Sequence, residues 1–304
     1  SVYTPALEAG YAVDAEVMDD DSLTYGDDAY SVSNYDQNSL YDTLPMYQAI
    51  AESKNTSAVW LLDKLGIQRG ISKLEDFGIS IGEADENLGA IALGGMSKGV
   101  TPVQLASAYT TFVNEGVRTQ ARFITKIVDA TGAVIVDNTK PKTNRVTTAA
   151  VAEEMTSMLM GVYADGGTGA SAQPSNGMVI AGKTGTTELD RETGYIKSQW
   201  MVGYTPDLVV ATWLGYDKTN EIYNLNNAGK TMANLYSAEM GALLSISPQT
   251  EFAVAAAEET YDSGIINGLK NGLDEFMNDM GSFGQSLGEG SKKLFDWANE
   301  AFGQ

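Results

Sequence analysis

A lysine followed by small and hydroxylated residues, Lys183-Thr184-Gly185-Thr186-Thr187, follows the apolar run Met178-Val179-Ile180-Ala181 and Gly182. The apolar run is short and closes in glycine, which predicts a buried strand rather than a helix, with Lys183, Thr184 and Thr186 on its last residues. Alternation places Thr184 and Thr186 on one face, and the glycines let a ligand approach the backbone closely. A cation beside two hydroxyls on one strand edge suits the holding of a carboxylate. A second polar group, Ser53-Lys54-Asn55, is the only S-x-N triplet in the sequence. It reads either as a helix-helix connection capped by Asn55 or as a polar corner projecting into a cleft.

Two motif patterns overlap these residues without fitting them. Gly177 to Thr184 matches the spacing of a phosphate-binding loop, but that loop needs a glycine-rich turn before the lysine and a helix after it. Here Met-Val-Ile-Ala precedes the lysine, and residues 185–194 have no apolar helical period. Gly95-Met96-Ser97-Lys98-Gly99 has the spacing of a nucleophile elbow. The sequence has no histidine, so a Ser-His-Asp triad is excluded and the segment reads as a glycine-rich loop.

Composition narrows the chemistry further. The 304 residues include 19 basic and 40 acidic side chains, a formal charge of −21. Phosphate backbones need a basic surface, so nucleic acid is excluded as a partner, and an anionic membrane surface is disfavoured. Without cysteine there is no disulfide or thiol nucleophile, and without histidine most zinc sites are excluded too. No cofactor is implied. No run of eighteen apolar residues and no signal peptide occur.

The elements that must position the polar groups can be read from periodicity and caps. Residues 1–13 read as the last turns of a helix closing at Gly10, and the acidic, tyrosine-rich residues 14–42 as a solvated loop. Thr43-Leu44-Pro45 opens a helix through Ile50, and a second helix runs from about Thr56 to Gly66. A short helix is expected near Ser72–Phe77. Another begins at the capping box Thr101-Pro102-Val103-Gln104 and stops at Gly116. Strands are expected at Phe123–Val128 and Ala133–Val136, then a helix capped by Thr147 or Thr148 with Val151, Met155, Met158, Leu159 and Val162 inward. After the Lys183 strand, Gln199–Tyr204 and Leu208–Leu214 flank Thr205-Pro206-Asp207 as a hairpin. Residues 231–245 form a last core helix. The fold class is therefore α/β in the α+β sense, an antiparallel sheet flanked by helices. Residues 259–304 differ: Ile265, Leu269, Leu273, Phe276, Met280, Phe283 and Leu287 form an amphipathic stripe interrupted by glycines, a conditionally ordered tail.

Taken together, Ser53-x-Asn55 and Lys183-Thr184-Gly185-Thr186-Thr187 resemble the second and third signatures of serine penicillin-binding proteins and class A β-lactamases. Asn34-Tyr35-Asp36, Leu93-Gly94-Gly95, Gly99-Val100-Thr101-Pro102, Ala106-Ser107-Ala108-Tyr109 and Trp200–Pro206 extend the likeness to class A, bifunctional penicillin-binding proteins. The resemblance covers about residues 1–258, read as one transpeptidase domain of the β-lactamase/transpeptidase type. It implies a D,D-transpeptidase that cross-links peptidoglycan stem peptides and is acylated by β-lactams, at the extracellular face of the bacterial cytoplasmic membrane, its anchor outside this chain. An upstream glycosyltransferase domain is a further implied partner. In these terms Ser53 passes a proton to the leaving amine, Asn55 holds the substrate amide and a lysine, and Lys183 supplies positive potential. Thr184 and Thr186 bind the terminal carboxylate, Gly185 and Thr187 complete the substrate ledge, and the Thr186 N–H is one of two oxyanion donors.

One departure matters. The family's nucleophile lies in a Ser-x-x-Lys motif, and none of the 22 serines here has lysine three positions later. In relatives a segment like Ser1-Val2-Tyr3-Thr4-Pro5 comes after that motif, so the nucleophile is expected on a fragment upstream of Ser1, and this chain alone is expected to be inactive. The competing readings are a non-catalytic scaffold or binding module of the same fold, and a D,D-carboxypeptidase or β-lactamase-like acyl hydrolase.

Overall fold

The computed structural model describes residues 1–36, 40–190, 195–225 and 228–261. The chain divides into two compact units, Ser1–Ala257 and Glu258–Gln304, and the first contains both polar groups. Helix α1 (Tyr3–Glu8) ends before Gly10, whose φ of +94° suits only glycine. The acidic stretch is not one solvated loop. It contains strands β1 (Glu16–Asp19), β2 (Thr24–Tyr25), β3 (Tyr30–Ser31) and β4 (Asp42–Pro45), with β1 paired to β4 and β2 to β3. Alternation along β1 turns Val17 and Asp19 inward, and Asp19 is only 1% exposed.

Pro45 ends β4 and precedes α2 (Met46–Ala51) instead of sitting inside its first turn. Helix α3 (Asn55–Leu65) stops at Gly66, whose φ is +86°. Its Leu61 and Leu62 are fully buried, each worth about 2 kcal/mol of transfer free energy. Helix α4 (Ile67–Asp76) is longer than the short helix expected at 72–77, and α5 (Leu88–Leu93), capped by Asn87, has no counterpart among the expected elements. The capping box at the head of α6 (Pro102–Val113) forms as expected: Gln104 N donates to Thr101 Oγ1 and Thr101 N to Gln104 Oε1.

Two ribbons lie between α6 and the next helix. Strand β5 (Val117–Thr119) pairs with β8 (Thr143–Arg145), and β6 (Lys126–Val128) with β7 (Val134–Asp137). Thr148 caps α7 (Ala149–Met160), with Val151, Met155, Met158 and Leu159 buried along it. The main sheet is antiparallel in the order β11 (Val209–Gly215), β10 (Tyr195–Tyr204), β9 (Ala181–Asp190), so β9 is an edge strand among the described residues. Helices α6, α7 and α8 (Ala228–Leu244) pack on it around buried Tyr163, Tyr204 and Tyr236. A short α9 (Ala257–Tyr261) closes the described chain. No helix among the described residues is long and apolar enough to cross a membrane. The amphipathic stripe from Ile265 to Leu287 lies outside the described residues.

Candidate active site

The corner between α2 and α3 is sharp because Ser53 takes a φ of +58°, the left-handed region that a non-glycine residue enters at a cost of about 1 kcal/mol. There the Ser53 hydroxyl accepts a hydrogen bond from Lys183 Nζ at 2.7 Å, across 130 residues of chain. Lys183 Nζ also donates to the carbonyl of Thr184 at 3.1 Å. Burial lowers the Lys183 ammonium from its ordinary 10.5 to about 8. The residue as a whole keeps part of its surface open to the cleft. A lysine in that range exchanges its proton near neutral pH, as a relay group must.

Ser53, Asn55 and residues 183–187 line one cleft of about 420 Å³, together with Ser1–Thr4 and the Tyr109 and Trp200 rings. The lysine does not stand at a strand's end, as the apolar run predicts. Val179 is exposed, the strand starts at Ala181, and it continues beyond the threonines because these pair with β10: Lys183 lies opposite Val202, Gly185 opposite Trp200 and Thr186 opposite Gln199. A strand rather than a helix after Lys183 also disposes of the phosphate-loop pattern. As an edge strand, β9 has one backbone side outside the sheet, the geometry that accepts an extended peptide. Gly182 is required here, since a Cβ would stand 1.9 Å from the Val202 carbonyl oxygen.

The sequence-predicted residues thus converge on this cleft, with one correction. Asn55 is not a cap, because it is the first residue of α3 and Lys54 occupies the N-cap position without capping it through its side chain. The capping acceptor is Asn34, whose Oδ1 takes the N–H of Asn55 at 2.8 Å and of Thr56 at 3.3 Å. Asn55 Nδ2 donates to the Ser33 carbonyl at 3.2 Å. The hydroxyl of Thr184 is paired with that of Thr168 at 2.6 Å, and Thr168 N donates to the Ala51 carbonyl at the end of α2. Asn34, Asp19 and Thr168 carry no site assignment from the sequence. Asn34 lies in a segment that supports the resemblance, whereas Thr168 sits in a Gly- and Ser-rich loop with no signal to mark it. Ser97 of the apparent nucleophile elbow binds Asp85 through its N–H and hydroxyl, outside any strand-to-helix turn.

The family described as the penicillin binding protein transpeptidase domain matches residues 2–238. Penicillin-binding protein 2a of Streptococcus pneumoniae is 39% identical over 259 residues, covering 84% of this chain and 34% of that protein. Penicillin-binding protein 1F of Bacillus subtilis is 38% identical over 237 residues, covering 78% of this chain and 32% of that protein. The chain therefore belongs to the penicillin-binding protein transpeptidase family, as its resemblance to class A members implied, and spans about a third of the length of these relatives. Among solved structures, the penicillin-binding protein PonA1 from Mycobacterium tuberculosis shares the fold with a TM-score of 0.68 at 24% identity, over 82% of this chain and 68% of that one. PonA1 has also been solved in complex with penicillin V, with a TM-score of 0.67.

Proposed function

We propose that this chain is the greater part of a peptidoglycan D,D-transpeptidase domain working by serine acyl transfer at the outer face of the cytoplasmic membrane. The hydrogen bond from the desolvated Lys183 ammonium to Ser53, in a cleft floored by the edge of β9, carries the reading. In the reaction a serine oxygen attacks the carbonyl carbon of the stem peptide's terminal D-Ala-D-Ala amide. The carbon–nitrogen bond breaks, and the departing amine takes its proton through Ser53 and Lys183. Thr184 and Thr186 hold the terminal carboxylate. The N–H of Thr186 stabilises the oxyanion, a donor worth about 3–4 kcal/mol in comparable sites. A β-lactam enters by the same route and stays as an acyl adduct, in keeping with the penicillin V complex of PonA1.

The nucleophile is not among this chain's serines, since no Ser-x-x-Lys occurs. We assign it to a segment preceding Ser1 in the longer polypeptide, because Ser1–Thr4 line the cleft beside Lys183. Residues 259–304 are assigned to a separate tail. The second reading is a non-catalytic scaffold of the same fold. Intact-mass measurement after incubation with a fluorescent penicillin separates the two. A polypeptide extended upstream through Ser-x-x-Lys is expected to gain one adduct mapping to that serine, and the 304-residue chain none. An extended polypeptide that stays unlabelled would favour the scaffold.

A further inference from the structure

The Ser53–Asn55 corner is held from outside α2 and α3. Asn34 is only 4% exposed and sits 21 residues before Asn55 in sequence. Its Oδ1 accepts the first two N–H groups of α3, while its Nδ2 donates to Asp19 Oδ1 at 2.6 Å. Thr56 Oγ1 also donates to Asp19 Oδ1. The other carboxylate oxygen accepts from Tyr41 N at 3.3 Å and lies 3.7 Å from the buried Lys54 ammonium. Lys54 reaches Glu52 as well, at 3.2 Å. The residues immediately before and after Ser53 are therefore tied down, on either side of its left-handed φ. A buried carboxylate is tolerable only with such partners, and a half-satisfied set would be worse than an apolar one.

We propose that Asn34 and Asp19 are positioning residues for the acyl-transfer site, holding the Ser53–Asn55 corner in the backbone geometry that brings Ser53 Oγ against Lys183. Neither touches the reacting atoms. Asn34 fixes where α3 begins. Its carbonyl oxygen replaces the missing capping side chain at Lys54, and the adjacent Ser33 carbonyl fixes the Asn55 amide through Nδ2, leaving Asn55 Oδ1 as that amide's acceptor. Asp19 fixes Asn34 in turn, since its carboxylate can only accept and so dictates which end of the Asn34 amide faces α3. Misplacing a proton-relay group by about 1 Å costs on the order of 100-fold in rate.

This inference rests on the transpeptidase reading, and its test separates the two. In the polypeptide extended through Ser-x-x-Lys, Asn34→Ala is expected to slow the acylation step by penicillin about 10- to 100-fold, with little change in the concentration for half-saturation. Asn34→Asp is expected to do the same, because it sets two carboxylates against each other; it serves as the single variant if the alanine form does not fold. The exchanged pair Asp19→Asn with Asn34→Asp restores one donor and one acceptor at each contact, and is expected to recover most of the acylation rate. In the 304-residue chain, amide hydrogen exchange of Asn55 and Thr56 is expected to accelerate in the single variants and slow again in the exchanged pair. Normal acylation in the folded single variants would overturn the proposal, as would an exchanged pair no faster than they are. If the parent polypeptide is not acylated, the transpeptidase reading fails instead. Exchange at Asn55 and Thr56 still decides whether Asn34 holds the corner, and unchanged exchange in the single variants overturns it.

Discussion

At the Ser53–Asn55 corner polar groups are buried and joined across long stretches of chain, whereas around the β6–β7 ribbon, residues 123–138, apolar side chains stand in solvent. Phe123 is 86% exposed and Ile135 64%. The β6–β7 ribbon's hydrogen bonds are local: Asp129 Oδ1 accepts from Thr131 and Ala133 to close the turn, and Asp137 accepts from Thr139. These donors hold both exposed aspartates below the usual carboxylate range. The two ribbons between Val117 and Arg145 together carry Arg118, Arg122, Lys126, Lys140, Lys142 and Arg145 in a chain of net charge −21. One region is thus specified by partners 21 to 130 residues away, the β6–β7 ribbon by partners no more than 14 residues away. Substitutions should respond accordingly.

The largest effect is expected at Lys183. In the polypeptide extended through Ser-x-x-Lys, Lys183→Ala should slow penicillin acylation by about 100- to 1000-fold while thermal unfolding barely moves. A large fall in Tm with normal acylation would make Lys183 a structural residue. Next comes Gly182→Ala, whose Cβ has no room beside the Val202 carbonyl. Urea denaturation should show a loss of about 3 kcal/mol, and a neutral result would mean that the β9–β10 pairing is looser than described.

A smaller effect concerns pH. Because burial lowers the Lys183 ammonium to about 8, the folded chain binds fewer protons than the unfolded chain between about 8 and 10.5. The Lys183 contribution to stability therefore rises with pH through that window. Lys183→Met should lack this increment when unfolding free energies at pH 7.5 and pH 10 are compared, and equal slopes would place the ammonium in water. The smallest effect is expected in the ribbon, where Phe123→Ser and Ile135→Thr should each change stability by less than about 0.5 kcal/mol. A larger loss would show that the ribbon's apolar face is covered in solution.

Legibility in the sequence divides along the same line. The capping box at Thr101, the Thr148 cap, the Thr205-Pro206-Asp207 hairpin and the antiparallel sheet are written in adjacent residues, and the structure has them where expected. The meeting of Ser53 with Lys183 is legible only through the family resemblance, because nothing within either segment encodes a contact 130 residues away. Asp19 escapes a sequence reading because a buried carboxylate inside an acidic run looks like its neighbours Asp20 and Asp21. Its burial depends on Asn34, Thr56 and Lys54, which arrive from later in the chain. The Lys183 strand is expected too early because Met178–Ile180 is the more apolar run, yet cross-strand pairing with β10 carries the strand on to Asp190.

The central claim is that Lys183 and Ser53 share a proton-bearing contact in a desolvated cleft. Titration of the Lys183 side-chain nitrogen by NMR, with and without Ser53→Ala, tests it most directly. The account predicts a pKa of about 8 in the parent chain, and a still lower value when the Ser53 hydroxyl that accepts the ammonium proton is removed. A Lys183 that titrates near 10.5, indifferent to Ser53, would contradict it.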